Sequence, residues 1–383
     1  VLPVTTTWAS EEIVPAPVLR AQVSDAVALL AARPMFIGQQ TATGQSITAS
    51  STTAISLDTE QADNYSMHQI STDATQVFCQ FPGWYLCEAT VPLNYTGGTG
   101  TLSALIGGVQ NGGPLAYYGG MRTPSNSGHI TVATAAKLMQ LVSTGFGTGD
   151  YVSAAVFQNN TGSSAETLNN NPAKAPYLMA RWVSALSGTQ PLIVPANDAW
   201  PSPPAVLGHV FMNKNVRDTI NYLIYPPIGE WVQSAAQNLA SQSSVPATGT
   251  TIGLGSVALN PAVVDNYGAY SQAANVWTAP VAGVFYCYGQ VGLTTGSNTV
   301  SMGAGLTVNS SNYNSGSTFT IWGGTMATAA SLPQMANVRR RLRLNAGDTI
   351  SLAGFQKDSG AASNALNTTG AWLSRLIICW ECA

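Results

Sequence analysis

The chain is written twice. Gly83-Trp84-Tyr85-Leu86-Cys87 and Gly283-Val284-Phe285-Tyr286-Cys287 stand 200 residues apart. The match runs on from Val91 and Leu93 to Val291 and Leu293. Upstream, Asp63-Asn64-Tyr65 answers to Asp265-Asn266-Tyr267. Downstream, Gly149-Asp150-Tyr151-Val152 answers to Gly347-Asp348-Thr349-Ile350. Near the start of each half, Val23-Ser24-Asp25 matches Val216-Arg217-Asp218, and Pro34 matches Pro227. Landmarks in one order at near-constant spacing mean a duplicated module. The duplication keeps structural positions rather than reactive ones, which points to a building part and not to an enzyme.

Each half is long enough to bury a core of its own. Charged residues make up 8% of the chain, against about 25% in ordinary soluble proteins. Apolar residues make up 45%, so the chain folds; disorder requires low hydrophobicity. Its surface is neutral and hydroxyl-rich, which favours cover by copies of itself or by partners. A net charge of −3 gives no field to gather nucleic acid or to hold an anionic membrane. No stretch approaches the ~20 continuous apolar residues of a membrane span. The first residues show no basic region followed by an apolar core, so no signal peptide is visible. Five cysteines without framework spacing read as reduced and buried. Cys379 and Cys382 form a CxxC with no second pair to complete a zinc site.

Each half opens with a helix. Ser10 is a candidate N-cap, and the helix runs from Ala16 or Val18 to Ala32, ended by Pro34. Leu19, Val23, Ala26, Val27 and Leu30 form its apolar stripe. In the second half Phe211, Val216, Ile220, Leu223 and Ile224 form the stripe, and Pro226-Pro227 ends it. A stripe this narrow serves either docking on the module that follows or a small bundle around a symmetry axis. Leu19, Val23, Val27, Leu30, Val216, Ile220 and Leu223 are therefore the assembly candidates.

The rest of each half reads as strands. The runs are 77–81, 84–91, 102–109, 130–132, 138–142, 151–157 and 178–183. The second half repeats them at Trp277 and at 284–291, 300–308, 319–322, 338–344, 349–355 and 372–380. Gly, Asn, Ser, Pro and Thr clusters separate them. Residues 159–171 and 358–369 read as long polar loops. Seven or eight strands per ~150 residues is the count of a β-sandwich or jelly roll. The expected architecture is mostly β: two tandem antiparallel jelly-roll sandwiches, each preceded by a short α-helix. The divisions are a segment and helix over 1–36, a first sandwich over 37–188, a proline-rich linker and helix over 189–229, and a second sandwich over 230–383.

Phe81-Pro82-Gly83-Trp84-Tyr85-Leu86-Cys87 resembles the second-strand signature of tumour-necrosis-factor/complement-type jelly rolls. The two Gly-Asp-x-hydrophobic segments resemble a later turn of the same fold. The segment from Trp8 through Val23-Ser24-Asp25 to Pro34 is similar to one in minor tail proteins of actinobacterial phages. The resemblance implies a homotrimer with aromatic-rich faces around a threefold axis. It also implies a structural role in a virion, assembled in the bacterial host cytoplasm, with neighbouring virion proteins as partners. Pro204 and Gly208 break the approach to the second helix and depart from the pattern.

His68 lies near Asp63 and Asp73, so a Ser-His-Asp set is composable on paper. The second repeat has Tyr270 or Ser271 there, and a surface or interface histidine is the expectation. Asp58, Glu60 and Asp63 lack the glycine-punctuated spacing of a calcium loop. Asp63 and Asp265 read as Asx-turn or capping residues. Arg339-Arg340-Arg341-Leu342-Arg343 is the basic run. On a strand Arg339, Arg341 and Arg343 share a face, suited to pairing with acids of another subunit or virion protein. Tyr117, Tyr118, Tyr313 and Trp322 are the candidate glycan-contact aromatics. No cofactor motif is present. The reading that results is a non-enzymatic, homotrimeric component of a phage tail. The alternatives are a host-receptor or glycan-binding module and a capsid decoration or head-fibre protein.

Overall fold

The computed structural model describes residues 23–42, 44–96, 98–110, 112–126, 130–161, 165–168, 171, 174–187, 216–233, 237–239, 250–251, 264–293, 299–309, 319–326, 334–358, 364–366 and 372–382. The first half begins with helix α1 (Asp25–Ala31). Its strands are β1 (Met35–Gln39), β2 (Ser46–Thr48), β3 (Thr52–Ala54), β4 (Thr59–Asp63), β5 (Val77–Phe78), β6 (Gly83–Asn94), β7 (Thr99–Val109), β8 (Ala116–Asn126), β9 (Ile130–Leu141), β10 (Tyr151–Asn160), β11 (Ala165–Leu168) and β12 (Tyr177–Ser184). The second half begins with helix α2 (Asp218–Ile224). Its strands are β13 (Ile228–Val232), β14 (Asn238–Leu239), β15 (Thr250–Thr251), β16 (Tyr270–Ser271), β17 (Val276–Thr278), β18 (Gly283–Leu293), β19 (Thr299–Val308), β20 (Phe319–Met326), β21 (Gln334–Leu344), β22 (Thr349–Asp358), β23 (Asn364–Ala365) and β24 (Arg375–Cys382).

The two halves share one topology. In the first, one sheet runs β4-β1-β12-β6-β9 and the other β3-β10-β7-β8, with β5 also on β10. In the second, the corresponding sheets run β13-β24-β18-β21 and β17-β22-β19-β20, with β15 also on β22. These pairings are antiparallel, and each half is a jelly-roll sandwich. Inward-pointing residues of the paired sheets fill two cores. Tyr85, Cys87, Val91, Ile106, Val152 and Trp182 belong to the first. Phe285, Cys287, Val291, Leu306, Ile350 and Trp380 belong to the second.

The repeated motifs are the joints of this frame. The glycine opening each long strand lies under an indole. A Cβ on Gly83 would sit 2.0 Å from Trp182 Nε1, and one on Gly283 would sit 2.3 Å from Trp380 Nε1. Each Asp-Asn pair staples a turn. Asp63 accepts from the Met67 and His68 N–H groups at 2.8 and 3.0 Å. Asp265 accepts from Ala269 and Tyr270, both at 3.0 Å. Asn64 accepts from Met35 N–H and donates to Arg33 O. Asn266 does the same with Ile228 N–H and Pro226 O, at 2.8 and 2.7 Å. Asp150 clamps the turn after β9, accepting from Val142 and Ser143 N–H. Asp348 accepts from Asn345 N–H at the matching turn.

Burial grades these joints. Asn266 is buried and Asn64 is exposed. Removing a partner from buried backbone groups costs about 1–3 kcal/mol, while water re-solvates an exposed pair. Asn266→Ala should lower the urea midpoint clearly and Asn64→Ala much less; equal losses would contradict the assignment.

The structure revises several sequence-based expectations. Residues 130–132 and 138–142 belong to one strand, because β9 pairs with β6 continuously from Ile130 to Leu141. The small residues between them need little room against the core. The expected loops 159–171 and 358–369 contribute β11 and β23. The sandwiches begin at Met35 and Ile228, two residues ahead of the expected 37 and 230. Leu19, Phe211 and the proline-rich linker lie outside the described residues. Of the first stripe, Ala26 is buried, Val23 and Leu30 pack on the first core, and Val27 points out at 52% exposure. Leu29 takes the buried place expected of Val27. In α2, Ile220 and Ile224 are buried and Leu223 is partly covered, as is Val216 just ahead of the helix. The described helical turns dock on the first sandwich, where Ala26, Ile220 and Ile224 join its core and Ala185 N–H donates to Ile224 O; Arg33, just after α1, ties the two helices together through Leu223 O.

Candidate functional site

The two sandwiches meet through the outer faces of their corresponding sheets. Trp84, Leu86, Ala136, Leu138 and Val183 of the first half form one cluster with Ile228, Tyr286, Tyr288, Ile377 and Cys379 of the second. Outward positions on a lone sandwich are normally polar. Here they are apolar because each half covers the other.

A buried ionic triad lies in this contact. Glu230 on β13 accepts from Lys137 Nζ at 2.9 Å and from Arg375 at 3.0 Å through the same oxygen, Oε1. Its other oxygen accepts the Leu138 N–H, on the edge of β9 away from β6, at 3.1 Å. Glu230 is fully buried, Arg375 1% exposed and Lys137 4% exposed. Burial pushes the Lys137 ammonium down from its ordinary range, and Glu230 pulls it partly back. Asn337 adds a bond to Thr134 O at 3.1 Å.

On the other side of this contact a cleft of about 590 Å³ stays open. Met35, Ile37, Glu88, Tyr177, Met179 and Arg181 line it from the first half. Tyr286 and the arginines 339 to 341 of β21 line it from the second. Arg339 pairs with Glu88. Arg181 and Arg341 share Glu381, at 2.7 and 2.6 Å. The basic run therefore spends two of its arginines on acids of this same chain, and Arg343 is exposed on the same strand. Burial raises the Glu381 carboxyl, but the bonds from Arg341 and Arg181 outweigh it and hold the group below its ordinary 4.5. A carboxylate depressed by folding contributes stability that is whole above its unfolded pKa and lost as pH falls through the folded one. Stability should thus decline below about pH 4.5, and Glu381→Gln should flatten that decline in urea midpoints taken at stepped pH.

The other candidates fall apart spatially. His68 is buried, not a surface residue: its ring packs 5.0 Å from Phe36, and Nδ1 meets Glu60 at 2.9 Å. Tyr270 holds the matching place and stacks on Trp231. Asp63 faces backbone N–H groups, so no Asp63–His68 side-chain relay is built. Asp58 is spent on Thr41, Ala42 and Thr59, apart from Glu60 and Asp63 in role. No group of three or more metal-ligating side chains occurs among the described residues. Cys79, Cys87, Cys287 and Cys379 are buried free thiols and Cys382 is exposed. No described helix is long and apolar enough to cross a membrane. Tyr117 is exposed beside Leu115, and Phe146 and Tyr151 both pack on Phe78. The side chains of Tyr118, Tyr313 and Trp322 lie outside the described residues.

No protein-family model matches the chain, and no curated protein matches it. Among solved structures it is similar to the globular domain of zebrafish complement 1qA protein, with 13% identity over 40% of this chain and 96% of that one, at a TM-score of 0.26. It is also similar to Eiger TNF from S. frugiperda, with 10% identity over 40% and 93% at a TM-score of 0.29. Murine APRIL at pH 5.0 shows 11% identity over 39% and 98%, also at 0.29.

Proposed function

We propose that this chain is a non-enzymatic structural component of a tailed-phage particle, a homotrimeric minor tail or tail-tip protein that works by assembly. One observation carries the reading. The repeats retain the residues that hold the frame, Gly83 and Gly283, Asn64 and Asn266, Asp150 and Asp348, while the reactive candidate His68 gives way to Tyr270. Sandwich faces that already bury one another within a chain support a protein made for joining. The segment around Val23-Ser24-Asp25 and Pro34, similar to phage tail segments, supports the particle. Scattering-coupled chromatography should return three times 39.8 kDa; a stable single subunit would remove the trimer. Antibody labelling of purified particles should mark the tail, and labelling of the head would favour the decoration or head-fibre alternative. The exposed Leu115, Tyr117 and Phe146 favour a second reading, contact with host cell-surface glycan.

A further inference from the structure

Strand register makes the two halves comparable position by position. Cys87 pairs with Lys137 on β9, and Cys287 pairs with Arg340 on β21, so Lys137 and Arg340 are equivalent. Ile37 pairs with Met179, and Glu230 with Ile377. Met179 and Ile377 in turn pair with Glu88 and Tyr288, 200 residues apart. Ile37 is therefore the equivalent of Glu230. Tyr177 is the equivalent of Arg375 by the same rule.

On the closed side, the edge-strand cation Lys137 and the next N–H, that of Leu138, share the carboxylate of Glu230. On the open side, Arg340 and Ile37 line one cleft, and the carboxylate position is filled by an isoleucine. Arg340 donates to the Arg339 carbonyl at 3.1 Å and meets no carboxylate among the described residues. The chain has only 14 Lys and Arg residues, yet Arg181, Arg339, Arg340 and Arg341 gather here against two acids, Glu88 and Glu381. The cleft carries two positive charges in excess. Its volume is in the range of small-ligand sites. Its walls offer the Tyr177 ring and the apolar side chains of Met35, Ile37 and Met179.

We propose that this cleft binds a carboxylate carried on a compact ring, an acidic sugar unit of the uronic acid type. Arg340 holds the carboxylate as Lys137 holds Glu230, and guanidinium geometry suits a two-pronged grip. The ring lies against Tyr177 and the apolar wall, contacts that a bare acidic side chain would leave uncovered. The site is distinct from the exposed aromatics around Tyr117. It is independent of the trimer reading, because it is built within one chain.

Calorimetric titration of the full chain should give binding of D-glucuronate and none of methyl glucoside, the neutral ring. Arg340→Gln should weaken glucuronate by about tenfold or more, with the urea midpoint unchanged because Arg340 is exposed. Lys174→Gln, an equal charge loss outside the cleft, should leave binding intact. Absent glucuronate binding, equal binding of the neutral glucoside, or an Arg340→Gln variant that binds like the parent would each overturn the site. Tighter binding of N-acetyl-glutamate α-amide than of glucuronate would overturn the sugar assignment. Chain mass measured on the same samples keeps these outcomes apart from failure of the trimer.

Discussion

Glu230→Ala should lower stability by about 3–5 kcal/mol, because it strands two buried cations beside one another. Lys137 and Arg375 reach the same Glu230 oxygen, so their charges repel once it is gone. The mutation also orphans the Leu138 N–H. Denaturant midpoints of the full chain give the cost. A companion variant separates charge from hydrogen bonding. Glu230→Gln combined with Lys137→Met and Arg375→Met retains an acceptor for the Leu138 N–H and removes every charge. It should return to within about 1 kcal/mol of the parent or exceed it, since apolar replacement of a buried ionic set is often neutral or stabilising. If the single substitution cost under about 1 kcal/mol, the range of an exposed pair, the triad would not be holding the halves.

Gly83→Ala should be costly for so small a substitution, about 1–3 kcal/mol or more from overpacking. The new methyl would stand 2.6 Å from Trp182 Cδ1 and 2.8 Å from Ser184 O as well as against Nε1. Trp182 is fully buried and cannot swing away. Its backbone N–H is fixed on Pro34 O at 2.8 Å, and its indole N–H reaches Pro82 O. Gly283→Ala adds backbone strain to the same collision, because Gly283 has φ of +155°. Combining Gly83→Ala with Trp182→Phe should cost less than the sum of the two single changes, since the smaller ring yields the space. Strict additivity would mean that the indole is not what demands the glycine.

The frame was legible because the repeat displays it. Gly83, Asp63, Asn64 and Asp150 each have a counterpart, and each proves to be a joint of the sandwich. β8 was hidden in the first half because Gly119-Gly120 and Pro124 read as breakers. The strand tolerates them at the sheet's edge, where among the described residues it pairs only with β7. The interface between the halves was hidden for the opposite reason. Two of its three charged residues stand where the repeats disagree, Glu230 against Ile37 and Arg375 against Tyr177, while Lys137 answers to another cation, Arg340. They lie 93 and 145 residues apart in sequence. Two signals pointed there. Trp84-Tyr85-Leu86-Cys87 is apolar at both parities, which marks a sheet covered on both sides. A charge that appears in one repeat only, within so neutral a chain, marks a contact that the other repeat does not make.

The acid in one sandwich and the base in the other have made two kindred pieces into unlike mates. Severed from its sibling, the leading piece would show Trp84 and Leu86 to water beside an unanswered ammonium. The trailing piece would be left with a glutamate and Arg375 at a bare, greasy wall. Neither can stand in for the other, so a gene that lost or doubled one of them would encode fragments prone to clump rather than a smaller or larger version of the same part.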